Sequence, residues 1–229
     1  MYIGGASSAQ LIGNTISANK NDFGGGVALF ASGTPTLLNN RIFGNTAPYY
    51  GGGLYAVNQS DASVVQNLVY SNTAQLGGGM YFLIPSGTRG PQLVNNTFAD
   101  NTVATGGTGA ALWAGGFDDR STLYNNVFVA GQSTVYCDST YDATPPVFDH
   151  NDAFVTGGGT GYFDTCAGVL GKSGNIATDP LFSSSPSADY HLSAGSPAID
   201  SGNSAAPLLP ATDLDGNPRV EGAAVDLGV

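Results

Sequence analysis

The sequence predicts an all-β parallel β-helix: a three-sheet solenoid of six to seven coils, followed by a C-terminal capping segment. Three observations lead there. An asparagine returns every 25 to 30 residues between apolar neighbours, a glycine block returns at the same period, and charge is scarce.

The asparagines are Asn14, Asn40, Asn67, Asn96, Asn126 and Asn151, spaced by 26, 27, 29, 30 and 25 residues. Three residues before each stands Leu11, Leu37, Val64, Leu93, Leu123 or Phe148. Two residues after stands Ile16, Ile42, Val69, Phe98, Phe128 or Ala153. Asn19, Asn45, Asn72 and Asn101 follow five residues after the first four anchors, and Gly131 takes that place in the fifth. Self-similarity at this period, in runs too short for helices, marks a solenoid. Leucine-rich repeats share the period but need a denser Leu pattern and a helical segment.

The glycine blocks are "GGGVALF" (24–30), "GGGLYAV" (51–57), "GGGMYFL" (77–83) and "GTGAALWA" (107–114). Each leads into a short apolar run, so one period holds about three strands. Strands of successive coils stack about 4.8 Å apart, which makes six or seven coils a rod roughly 30 Å long. A glycine triplet can also cradle a phosphate, but a phosphate loop opens a helix and its best-known form carries Lys. These triplets recur, precede strands and have no Lys nearby, so they read as corners where coils pack closely.

Inside the solenoid the aliphatic columns stack. The anchor Asn is expected at a bend, where it tolerates left-handed backbone, and stacked Asn amides can form a ladder. Its predecessor is polar in most coils (Asn39, Gln66, Asn95, Asn125, His150) and shares facing with the interior Leu, so a buried polar ladder is expected there. The coils are assigned to 1–174 and the last coil with its capping tail to 175–229.

The composition excludes whole classes of partner. The 229 residues suffice for one large domain. Only 10% are charged, against about 25% in an ordinary soluble domain. Lys and Arg together number 6, Gly 34, and the net charge is −11. Nucleic acid needs a basic stripe, and an anionic membrane repels this chain. No apolar run is long enough for membrane insertion. Multivalent cations and neutral glycans remain plausible partners. Met1 is followed by "YIGGASSA", which lacks the basic start and apolar centre of a leader. The chain is therefore cytosolic or a piece of a longer secreted protein, and the repeats favour the second.

"FGGGVALF", "YGGGLYAV" and "LGGGMYFL", alternating with "IFGN" and "FADN", resemble the repeats of polymorphic outer-membrane protein adhesins. They also resemble the pectate-lyase-like right-handed β-helix superfamily. The tail, "DPLFSSSPSADYHLSAGSPAIDSG" (179–202) and "TDLDGNPRVEGAAVDLG" (212–228), resembles the end of bacterial secreted proteins of the choice-of-anchor Q type. Together these cover nearly the whole chain. The resemblance implies a right-handed coil and an extracellular or cell-surface place. It implies adhesion, binding of a polysaccharide or surface protein, or scaffolding, without catalysis of its own. The alternatives are a calcium-assisted polysaccharide lyase and a rod that associates end to end through its open first coil. In such proteins the tail continues past "VDLG" toward an anchor, so this chain is expected to be a fragment.

The candidate residues follow. If Leu54 and Ala56 point inward, Tyr55 points outward, and Phe30, Tyr81, Leu83 and Trp113 share its face. That is an aromatic stripe suited to sugar or protein contact, unless loops such as "APYY" cover it. For lyase chemistry the acidic doublet Asp118–Asp119, with Arg120 beside it and Arg89 upstream, is the one assembly at hand, and a solvated turn is the plainer reading. "DLDGN" offers Asp213, Asp215 and Asn217 to Ca²⁺. Its Gly stands at position 4, and Ala224 stands where an EF-hand needs Glu, so a turn folded against the last coil is expected. No other cofactor is expected. Cys137 and Cys166 lie 29 residues apart, about one coil, and in an exported protein a disulfide is the expectation over two free thiols.

Overall fold

Each apolar run becomes a strand of three to five residues because a Gly, Asn or other left-handed residue ends it. The computed structural model describes residues 1–229. Its first sheet has seven parallel strands: Tyr2–Gly4, Val27–Phe30, Leu54–Val57, Met80–Ile84, Leu112–Gly116, Val135–Cys137 and Tyr162–Asp164. The second has six: Gln10–Ile12, Thr36–Leu38, Ser63–Val65, Gln92–Val94, Thr122–Tyr124 and Val147–Asp149. The third also has six: Thr15–Ser17, Arg41–Phe43, Leu68–Tyr70, Thr97–Ala99, Val127–Ala130 and Asp152–Val155. Successive coils pair in register. Leu11, Leu37, Val64, Leu93, Leu123 and Phe148 stack as one column, and Ile16, Ile42, Val69, Phe98, Phe128 and Ala153 as another. These columns and the inward residues of the first sheet form one continuous buried core.

The corner between the second and third sheets departs from the expectation by one residue. The left-handed position is the residue before the anchor: Asn39, Gln66, Asn95, Asn125 and His150 have φ of 50–58°. That reversal breaks the alternation, so these side chains leave the interior. They reach only partial pairing, Gln66 with Asn39 and Asn125 with Asn95, and no interior ladder forms there. The anchor itself turns inward. The Oδ1 of each anchor accepts the backbone N–H and the Nδ2 of the anchor one coil earlier, from Asn14 through Asn151. Asn175 is a seventh rung. A shorter ladder runs Asn19–Asn45–Asn72–Asn101 and stops where Gly131 replaces Asn.

The glycine triplets are corners. The amides of Gly51, Gly52 and Gly53 donate to Leu76, Gly77 and Gly78 of the next coil, so none is free for an anion. Gly53 has no room for a side chain: a Cβ there lies 2.6 Å from Gly79 O and 3.0 Å from Asn72 Nδ2. Gly53→Ala is expected to cost about 1–3 kcal/mol by overpacking, lowering Tm by several degrees. Gly131→Ala, with nothing nearer than 3.7 Å, is the control that leaves thermal melting unchanged.

Two segments end the fold. Cys137 and Cys166 are joined by a disulfide, their Cα atoms 5.4 Å apart and both side chains in the core. A 3-10 turn, Thr165–Gly168, and the chain up to Asn175 close the last coil, with Val169 on the core. The remaining tail does not cap that end. It runs back along the flank, and its hairpin, Phe182–Ser184 with Asp189–Leu192, lies on the outer face of the third sheet. Tyr190 packs against Leu68 and Ala99, and Ala198 and Leu227 against Val127 and Val129. Ala206 reaches Val65 and Val94 of the second sheet. Gln66, Asn95 and Asn125 are buried beneath this tail or the neighbouring corner, where Asn95 Nδ2 donates to Asp226 O and Gly228 O.

Candidate functional site

The tail packs on the third and second sheets and not on the outer face of the first. Alternation places Leu54 and Ala56 in the core and Tyr55 outside, in register with Tyr81, Trp113, Tyr136 and Phe163. The rings stack. Tyr55 and Tyr81 centroids are 5.5 Å apart, and Tyr81 and Trp113 are 4.3 Å apart and 8° from parallel. Tyr50, from the "APYY" loop, stacks on Tyr81 at 4.8 Å, and Phe23 adds a further ring against Tyr55.

Outward facing is not full exposure. Tyr81 and Trp113 keep only 6% of their surface, because the two rings stack on each other and Tyr50 covers Tyr81. The stripe is therefore a stacked ridge whose inner rings are largely hidden. Burial raises the Tyr81 phenol above the ordinary tyrosine range, with the nearby Tyr55, Tyr50, Asp138 and Tyr141 adding to it. Tyr55 is half-buried. Phe30 stands 45% exposed, in the next column with Val57 and Leu83 rather than in line with Tyr55.

That second column leads into a cavity of about 160 Å³ lined by Leu83, Pro85, Asn58, Phe117 and Tyr141. Phe117 and Tyr141 are exposed, with ring centroids 6.4 Å apart. Neither belongs to a repeat column. They come from loops of successive coils, so the sequence signal that could have found them was only that each is an aromatic outside the columns.

A family model described as the right-handed β-helix region matches residues 1–128. The chain belongs to the right-handed β-helix family. No curated protein and no solved structure matches it.

In this β-helix the doublet near the cavity is split. Asp118 is 2% exposed, and no protein group reaches its Oδ2 or the buried Ser121 Oγ. Burial pushes the Asp118 carboxyl up to about 7, helped by Asp142, Asp119 and Asp138. Asp119 and Arg120 are exposed, and Arg89 bonds Gln92 Oε1 and Asp61 O instead. Asp118 is thus buried while Asp119 and Arg120 face solvent, and Arg89 is engaged by other groups.

The "DLDGN" turn is also occupied by itself. Asp213 Oδ1 accepts the amides of Asp215 and Asn217, and its Oδ2 accepts Asn217 Nδ2. Asp215 turns away, to His191 Nε2 at 2.6 Å and Arg41 Nη2 at 3.5 Å. The turn therefore sits against the second coil, where Arg41 lies, and not the last. The carboxylates of Asp215 and Asp189 on either side raise the His191 pKa.

Proposed function

We propose that the chain is an extracellular or cell-surface β-helix module that binds glycans on the outer face of its first sheet, without chemistry of its own. The observation that carries this is the division of the surface. The tail roofs the third sheet and part of the second, while the first sheet carries a ridge of stacked rings ending at a small cavity. Aromatic faces of this kind stack on the C–H faces of sugars. A disulfide between adjacent coils suits an oxidising compartment. The tail's resemblance to choice-of-anchor Q proteins supports the same place, and the glycine repeats resemble adhesins. Asp118 buried beside the exposed Asp119 and Arg120 offers the lyase reading no comparable support.

The test is a glycan array. The chain is expected to bind a defined subset of glycans, with signal reduced about tenfold in Phe30→Ala/Tyr55→Ala, the loss of roughly one good ring contact. Melting should confirm that the variant is folded. Silence across a broad array, or signal indifferent to both rings, would count against the reading.

A further inference from the structure

Acidic residues flank the cavity beside the ridge. Its walls are mainly apolar and aromatic, with Asn58 as the polar lining residue. Around it stand carboxyl groups from two loops. Asp119 and the buried Asp118 follow Phe117. Asp138 lies against Gly115, its Cβ 3.3 Å from where a glycine Cβ would stand, and Asp142 follows Tyr141. Asp142, Asp119 and Asp138 all act electrostatically on the Asp118 carboxyl, so the four lie near one another. Arg120 is the cation of these loops, exposed and outnumbered, and Arg89 is engaged by Gln92 and Asp61.

We infer that this cavity takes a cationic sugar ring, a protonated amino sugar, in preference to a neutral or acidic one. Phe117 and Tyr141 offer exposed ring faces, which attract both C–H surfaces and ammonium groups. The carboxylates of Asp119, Asp138 and Asp142 favour the cation and repel a uronate. A cavity of about 160 Å³ is well below the usual size of a drug-sized ligand site, so it suits one ring of a chain whose other residues lie along the ridge. The inference rests on the glycan-binding reading and narrows it to a substrate class.

Calorimetric titration of the full chain at pH 6 with three probes tests it: oligomers of glucosamine, of N-acetylglucosamine and of galacturonic acid. The glucosamine oligomer is expected to bind about tenfold more tightly than its N-acetylated counterpart, and the uronate not at all. Tyr141→Ala should abolish the preference. Asp138→Asn/Asp142→Asn should reduce it to within about threefold without weakening the N-acetylated oligomer. Asp179→Asn/Glu221→Gln, which removes the same charge from the tail, should leave it intact. Equal loss in both double variants would mean attraction to net charge alone and overturn the inference. So would uronate binding as tight as the amine. If array glycans bind through Tyr55 and Phe30 without an amine preference, this inference fails and the glycan-binding reading stands. If no glycan binds, both fall.

Discussion

Replacing Asn96 with alanine is expected to destabilise the chain by about 3–5 kcal/mol, several times the cost of an ordinary surface truncation. Asn96 is fully buried at the middle of the interior ladder. Its Oδ1 accepts Asn67 N–H at 2.9 Å and Asn67 Nδ2 at 3.0 Å. Its Nδ2 donates to Val64 O at 2.8 Å and Asn126 Oδ1 at 2.9 Å. With a further bond from Nδ2 to Val94 O, alanine removes five bonds at once and leaves the Asn67 N–H in the core without an acceptor. At about 2–4 °C per kcal/mol for a chain of this size, Tm should fall by roughly 10 °C or more. Asn14→Ala makes the same chemical change on the exposed first rung and should cost less than about 1 kcal/mol. Equal effects at the two positions would mean that the ladder contributes nothing beyond local shape.

The second large effect is on pH. Asp118 and Asp152 are both almost fully buried, and burial pushes each carboxyl up to about 7. Asp152 accepts Thr178 N–H at 2.9 Å, which only partly offsets its desolvation. A carboxyl raised in the folded state holds its proton where the unfolded chain has lost it. The folded state therefore binds more protons between about pH 4 and 7, and stability falls as pH rises through that window. A shift of this size corresponds to about 4 kcal/mol for each group. His191, with its pKa raised, acts in the same direction, since its contribution is complete at low pH and lost as pH rises through the folded value. Asp213 and Asp189, held below the ordinary carboxylate range, lose their contribution only as pH falls below about 4. Urea unfolding at pH 5 and pH 8 should therefore give the higher midpoint at pH 5. Asp118→Asn should raise the pH 8 value and flatten the difference. A stability that climbs from pH 5 to pH 8 would mean that both acids are ionised in the fold.

The coils were legible because each repeated its neighbours' solution. Leu37 alone predicts little, but six equivalents in register define a stacked column, and their pairing follows from the spacing. The one-residue error at the corner had a local cause. Alternation carried Asn39 and Gln66 inward, and only the left-handed backbone turns them out and swings Asn40 and Asn67 in. The tail was less legible for the opposite reason. Its contacts are single events between distant residues, such as Tyr190 with Asp100 across 90 positions or Asn95 with Gly228 across 133, and nothing repeats them. The site was half visible. The outward facing of Tyr55, Tyr81 and Trp113 followed from strand alternation, but their mutual covering depends on Tyr50, which arrives from a loop. The cavity joins loops of different coils, and no spacing rule relates Phe117 to Tyr141.

The returning tail also changes how the molecule should come apart. A stack in which each coil touches only its neighbours can fray from either end, one rung at a time. Here Asp215 holds Arg41 on the second coil, Tyr190 holds Asp100 on the fourth, and Asn203 holds Asn125 and Asp149 on the fifth and sixth. Loosening one end loosens the strap, and the strap reaches almost the other end. The chain is thereby a single cooperative unit, more like a bound sheaf than a pile of plates, and a pull on its last residue would be borne by the middle coils together.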